Sequence, residues 1–221
     1  MDKVVVLVSG GMDSTTLLWY AVKERGLDVI PVFFKYGQRH KRQEYLSAVH
    51  QCTRLDLVVK TYEINLPFAG SALTDSKIPM PTIHEVMHDR QPITYVPFRN
   101  TILLGSACSL AEGFGAHYVM YGAQLRDMYG YWDCTEEYLK KFNDLISLNR
   151  NFAIQVEAPL VLLSKADIVL RAMRLGVNLS DTYSCYKGGE IHCGACPTCY
   201  ERRRAFIDAR VPDPTAYEKI A

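Results

Sequence analysis

The stretch "VVVLVSGGMDSTTLLWY", residues 4 to 20, decides the fold. A short β-branched run reads as a buried strand, and it stops at Ser9-Gly10-Gly11-Met12-Asp13-Ser14. Leu17, Leu18, Ala21 and Val22 then recur at helical spacing, and Gly26 closes that helix. A glycine turn between a strand and a helix is a common seat for phosphate, because Gly10 and Gly11 expose backbone N–H groups and the helix adds its positive end. Ser9 and Ser14 supply hydroxyls. No lysine or arginine lies between Lys3 and Lys23, so any charge that meets a phosphate comes from elsewhere in the chain.

Outward from this loop the pattern repeats. Strands are predicted at Asp28 to Phe34, Leu57 to Ile64, Ala116 to Tyr121 and Phe152 to Val156. Helices are predicted at Lys41 to Leu55, with Tyr45, Leu46, Val49 and Cys52 inward, at Arg99 to Gly113, apolar nearly all round and hence buried, at Thr135 to Leu148, and from the Ser164 cap to Gly176. Alternating strands and helices imply parallel pairing through right-handed crossovers: a Rossmann-like α/β layered sheet of about five strands with helices on both faces. Residues 66 to 92, with Pro67, Pro79, Pro81 and Pro92, break the rhythm and read as a long excursion at the ligand end of the sheet. The expected division is an α/β domain over 1–180 and a metal-binding C-terminal region over 181–221.

The chain has 221 residues, 48% hydrophobic and 22% charged, with 25 Lys plus Arg against 24 Asp plus Glu. A formal net charge of +1 gives no global field toward nucleic acid or an anionic membrane, which favours a small-molecule partner. The first residues lack the pattern of a signal peptide and no apolar run is long enough to span a bilayer, so a cytoplasmic protein is expected. Thiols there serve as ligands more often than as disulfides. Cys185, Cys193, Cys196 and Cys199 fall within "CYKGGEIHCGACPTC", residues 185 to 199. Four thiolates at this spacing match a closed tetrahedral zinc site of structural type, and a C-x2-C-x2-C run is shared with iron–sulfur proteins. His192, beside Cys193, is expected to point away. Glu201-Arg202-Arg203-Arg204 heads a short helix, read as a solvated face or a substrate-side arginine.

The hexapeptide Ser9-Gly10-Gly11-Met12-Asp13-Ser14 resembles the pyrophosphate-binding PP-loop of the N-type ATP pyrophosphatases, in which a substrate attacks the α-phosphate of ATP and leaves as an adenylate. Further segments are similar to the 7-cyano-7-deazaguanine synthase family: Tyr36-Gly37-Gln38-Arg39-His40, Val96-Pro97-Phe98-Arg99-Asn100, Gly130-Tyr131-Trp132-Asp133-Cys134, Lys165-Ala166-Asp167 and Cys185-Tyr186. That resemblance implies a carbon–nitrogen ligase of queuosine-precursor biosynthesis. It would convert 7-carboxy-7-deazaguanine, ammonia and ATP into the nitrile through the amide, with AMP and pyrophosphate released, in a homodimer.

It implies ATP binding along Val8, Ser9, Gly10, Gly11, Met12, Asp13, Ser14, Thr15, Thr16, Leu17 and Leu18. Asp13, Ser14, Arg99 and Lys165 take catalytic roles, Asp13 orienting Mg2+. Gln38, Arg39, His40, Asp127, Tyr131 and Asp133 contact the substrate, and Cys185, Cys193, Cys196 and Cys199 hold structural Zn2+. The chain departs from the family pattern at Lys35, Phe98, Leu125, Arg126, Tyr129, Trp132 and Thr135, so a related enzyme that stops at the amide, or passes the acyl group to another amine, is the alternative. A tRNA-thiolating member or a zinc-containing nucleic-acid module fits the near-neutral charge less well.

Overall fold

A computed structural model describes residues 1–65, 70–86, 89, 91–125 and 130–218. In chain order the elements are β1 (Lys3–Leu7), α1 (Met12–Lys23), β2 (Asp28–Lys35), α2 (Lys41–Thr53), β3 (Lys60–Glu63), α3 (Ile83–Val86), α4 (Arg99–Phe114), β4 (Tyr118–Met120), α5 (Glu136–Ile146), β5 (Gln155–Glu157), α6 (Lys165–Leu175) and α7 (Pro197–Ala209). The strands form one sheet in the order β3-β2-β1-β4-β5, parallel throughout. The expected Rossmann-like sheet with helices on both faces is therefore present.

Period-two alternation divides the core. Val4, Val6 and Val8, with Phe33 and Met120, pack beneath α1, α2, α6 and α7 through Leu17, Leu18, Ala48, Ile168 and Phe206. Val5, Val32, Phe34 and Val119 face α4 and α5 through Leu104, Ala107 and Phe142 on the opposite side. Among the described residues no helix is long and apolar enough to cross a membrane.

Three helices differ from their sequence reading. In α4 only Leu104, Ala107, Cys108 and Ala111 are buried, while Gly105, Ser109 and Glu112 are exposed, because small and apolar residues all round the helix hid which stripe meets the sheet. The inward face of α2 is Ser47, Ala48, Gln51 and Cys52, and Leu46 is exposed. It is turned because Gly10 of the loop packs on this helix and Gln51 accepts the Trp19 indole N–H at 3.1 Å. The last helix begins at Pro197, four residues before Glu201, so that Cys199 lies inside its first turn. Pro197 suits a first helical position because its missing N–H would have no intrahelical partner there.

The chain runs outward from β1 to β3 and then returns to place β4 on the other side of β1. This reversal leaves a crevice at the carboxyl ends of β1 and β4, where open α/β sheets bind ligands. Part of the proline-rich excursion lies at that end: Arg39 donates its backbone N–H to Leu73 O at 2.9 Å and its guanidinium to Ala72 O and Ile78 O at 3.2 and 3.1 Å.

Candidate active site

The exit of β1 opens straight into the crevice. Gly10 has φ +74°, and a Cβ there would sit 2.7 Å from both Ala48 N and Ser47 Cβ of α2, so only glycine fits. The Ser9 backbone N–H donates to Ser14 Oγ at 3.0 Å, and the two serine hydroxyls are themselves 3.0 Å apart, which ties the loop closed. Gly11 is the N-cap of α1 and brings no side-chain acceptor. The first-turn N–H groups, which no intrahelical carbonyl can satisfy, therefore open onto the cavity. Gly122, just past β4, lets that strand's exit approach: a Cβ there would lie 3.3 Å from Ser14 N.

Charge reaches this cavity from distant parts of the chain. Lys165 Nζ pairs with Asp13 Oδ2, and both line the cavity. Lys165 starts α6, held by a capping box in which Ser164 Oγ accepts the Asp167 N–H and Asp167 accepts the Ser164 N–H. A cation at a helix N-terminus is disfavoured on its own, and Asp13 offsets that cost. The other carboxylate oxygen, Asp13 Oδ1, is buried without a hydrogen-bond partner among the described residues.

Arg99, the first residue of α4, is half-buried on the opposite wall. It donates to Tyr36 Oη at 3.4 Å and to Asn100 Oδ1 at 3.2 Å. Burial pushes the Tyr36 phenol above its ordinary range, with the Arg99 charge opposing. Desolvation works against the Arg99 charge, yet Tyr36, Cys134, Tyr186 and Asp133 more than compensate and hold it protonated.

The four cysteines converge at the base of α7. Their sulfurs lie within 4.8 Å of one another and all four residues are buried. Cys185 Sγ accepts the Cys193 N–H at 3.4 Å, and Cys193 Sγ accepts the Cys196 N–H at 3.3 Å, which stabilises thiolate character. Thiol donation from Cys196 and Cys199 lowers the Cys185 pKa, while Cys196 and Cys199 are raised in turn. Four sulfurs this close ionise together only around a cation, so the cluster fits one metal ion. His192 does point away: its Nε2 accepts the Ser184 N–H at 3.0 Å, and burial lowers its pKa to about 4, aided by Arg202.

Arg202 is not on a solvated face. It is 2% exposed and lines the cavity, donating to Leu179 O, Thr182 Oγ1, Ser184 Oγ and Thr215 Oγ1 at 2.7 to 3.1 Å. The segment it grips donates the Tyr183 N–H to Gly10 O of the loop at 2.9 Å.

The model of the queuosine biosynthesis protein QueC matches residues 3–210. The chain belongs to the QueC family. It is 40% identical to the 7-cyano-7-deazaguanine synthase of Sulfurovum sp. strain NBC37-1, over 98% of this chain and 99% of that one. The synthase of Nitrosococcus oceani is 42% identical over 97% and 98%. In fold it is similar to the U34-tRNA thiolase NcsA from Methanococcus maripaludis, solved with its [4Fe-4S] cluster, at TM-score 0.53. That likeness covers 94% of this chain and 66% of the thiolase at 14% identity, so it speaks to the fold alone.

Within this QueC-family chain most of the residues singled out in the sequence fall into two groups. Val8, Ser9, Gly11, Met12, Asp13, Ser14, Gln38, His40, Arg99, Tyr131 and Lys165 line one cavity. A second group serves the scaffold: Gly10 faces α2, Leu17 and Leu18 are buried core residues, and Thr16 Oγ1 bonds Met12 O at 2.8 Å. Thr15 is likewise buried, and Arg39 pins the excursion.

Asp133 is 2% exposed behind the cavity wall. Desolvation raises its pKa, although Arg99 and hydrogen bonds from Asn100 pull it back. Gln38 reaches the cavity with its amide engaged by Tyr36 N, Phe34 O and Glu44. Asp127 lies outside the described residues, as do Arg126 and Tyr129. Sequence reasoning missed Glu44, Gly122 and the placement of Arg202, since each depends on long-range contacts no local pattern announces.

Proposed function

We propose that this chain is an ATP-dependent ligase that adenylates 7-carboxy-7-deazaguanine and uses ammonia to form 7-cyano-7-deazaguanine through the 7-amide. The observation that carries this is one cavity at the β1/β4 crevice, walled by a lysine-free phosphate loop and flanked by Asp13–Lys165 and Arg99, in a chain of the QueC family. A carboxylate is inert toward ammonia because hydroxide leaves poorly, and exchanging it for AMP removes that barrier.

Attack of the substrate carboxylate on the α-phosphate drives charge onto the departing pyrophosphate. The first-turn N–H groups of α1 and the hydroxyls of Ser9 and Ser14 face that charge, and Arg99 and Lys165 add positive potential from two sides. Asp13 Oδ1, buried and without a hydrogen-bond partner among the described residues, suits a Mg2+ ion, which when bound neutralises phosphate charge. Tyr131 borders the acceptor end, where Thr94 Oγ1 and Tyr131 Oη lie 2.8 Å apart.

The cysteines suit structural Zn2+. Tetrahedral thiolates on bonds of about 2.3 Å stand roughly 3.8 Å apart, and Cys193 Sγ and Cys199 Sγ are 3.9 Å apart. In this reading residues 1–180 handle the nucleotide and 181–221 form the zinc-binding region of a cytoplasmic homodimer.

The departures Phe98 and Trp132 pair edge-on at 5.4 Å, and Tyr95 Oη accepts the Phe98 backbone N–H and the Trp132 indole N–H at 3.0 Å each; these departures keep the amide-stopping enzyme as second reading. Incubation with 7-carboxy-7-deazaguanine, ammonium and Mg-ATP followed by mass spectrometry of the product separates the two: the nitrile is expected, accumulation of the amide supports the second, and unconsumed acid refutes both. Asp13→Ala and Arg99→Met should each lower acid-dependent ATP–pyrophosphate exchange by about 10²-fold or more.

A further inference from the structure

The cavity holds one group that phosphate chemistry leaves unused. His40, the N-cap of α2, is 3% exposed, and its Nε2 lies 3.3 Å from Glu44 Oε1, one helical turn on. Glu44 is fixed from behind, because its other oxygen accepts from Gln38 Nε2 at 3.3 Å and Gln38 Oε1 in turn accepts the Tyr36 N–H at 2.8 Å. The imidazole ring rests against Tyr186 at 5.4 Å between centroids. At the back of the residue, a Cβ on Gly188 would lie 3.3 Å from His40 Cα, so the glycine stretch before the cysteines closes on it.

Glu44 takes the Nε2–H, which leaves the lone pair on Nδ1. Nδ1 is buried and has no hydrogen-bond partner among the described residues. A lone pair cannot serve a phosphate oxygen, which also only accepts; it calls for a ligand that donates a proton. Arg99, Lys165 and the loop already serve the anions of the reaction. Nitrogen is the atom in this reaction that must lose protons.

We infer that His40, oriented by Glu44, is the general base that takes the proton from the attacking ammonia, an inference that rests on the adenylating function proposed above. The ammonia lone pair forms the C–N bond to the acyl carbon, and the C–O bond to AMP breaks with its electron pair leaving on the phosphate oxygen. One N–H proton passes to Nδ1, and Glu44 stabilises the resulting imidazolium through Nε2–H. After release of that proton to solvent, the same base serves the second stage: the amide oxygen attacks a second ATP with pyrophosphate leaving, one of the two amide N–H protons goes to solvent, and the remaining imidate N–H gives its proton to Nδ1 as the C–O bond breaks with its electron pair leaving on AMP and the C≡N bond is completed.

The experiment compares three rates in His40→Gln, His40→Asn and Glu44→Gln: acid-dependent ATP–pyrophosphate exchange, amide formation with ammonium, and hydroxamate formation with hydroxylamine. In the His40 variants, amide formation should fall roughly 10²- to 10⁴-fold further than acid-dependent exchange does. Hydroxamate formation should fall less than about tenfold, because the less basic adduct surrenders its proton to water unaided. Glu44→Gln should show a smaller loss in amide formation alone.

An unchanged amide rate overturns the inference, as do equal losses with ammonia and hydroxylamine. A raised KM for the acid in the exchange reaction assigns His40 to substrate recognition instead. Wild-type protein without acid-dependent exchange refutes the adenylating function itself.

Discussion

Gly10 and Gly11 stand side by side and do different work. Both read in the sequence as exposed backbone for a phosphate, yet Gly10 carries φ +74° and presses on Ala48 N and Ser47 Cβ, while a Cβ on Gly11 would meet nothing closer than Ser9 Oγ at 3.4 Å. Gly10→Ala pays for a left-handed backbone, about 1–2 kcal/mol, and for overlap with unyielding backbone, about 1–3 kcal/mol. Urea denaturation should therefore show a loss of roughly 3 kcal/mol for Gly10→Ala and less than about 1 kcal/mol for Gly11→Ala, whose effect should appear as weaker Mg-ATP binding. Similar losses of stability in the two variants would contradict this division. Residue chemistry was legible here to the extent that it was local. The loop, the cysteines and the cap at Ser164 announce themselves within a few positions, whereas the partner of Asp13 lies 152 residues away and no spacing rule reaches that far.

At the scale of elements, the sequence showed helices best where their ends are chemically marked. Ser164 and Gly176 bound α6 as read, and Gly176 adopts φ +82° as a left-handed cap should. Faces were harder to read: α2 and α4 have weak apolar stripes, and which side is buried is decided by neighbours. The helix whose start was misplaced, α7, is the one that joins the two ends of the site. Cys199 sits in its first turn, and Arg202, one turn later, holds the 179–184 segment that hydrogen-bonds Gly10 O. Removing the metal from the purified protein with a chelator should thus lower the melting temperature by roughly 10 °C or more, the equivalent of about 4 kcal/mol for a chain of this size. It should also weaken Mg-ATP binding several-fold, and Cys199→Ser should reproduce both effects. A lower melting temperature with unchanged nucleotide affinity would break the link between α7 and the loop.

The whole molecule follows from the direction of its crossovers. Right-handed connections leading outward from β1 place α1 and α2 on one face, and the return across β1 places α4 and α5 on the other. The alternation of elements foretold a parallel sheet. Strand order was out of reach, because the return step follows an excursion with no period of its own. Two faces mean two cores, and each has sealed in a thiol: Cys52 at 1% exposure on the inward face of α2 and Cys108 at 8% in α4. Burial pushes Cys52 up to about 12 and Cys108 up to about 11, from an ordinary value of 9.0. In the unfolded chain both thiols ionise near pH 9, so above that pH the unfolded state has released protons the native state still holds. Stability therefore falls with rising pH, by about 1.4 kcal/mol per pH unit for each thiol, until the folded thiols themselves ionise. Between pH 9 and 10.5, urea denaturation of the metal-saturated wild type should lose roughly 3 kcal/mol more than the Cys52→Ala/Cys108→Ala double variant loses over the same interval, the slope being half its full value at pH 9, where the unfolded thiols are half ionised. Equal losses would mean that both thiols already ionise in the native protein, and that water reaches the two cores on either side of the sheet.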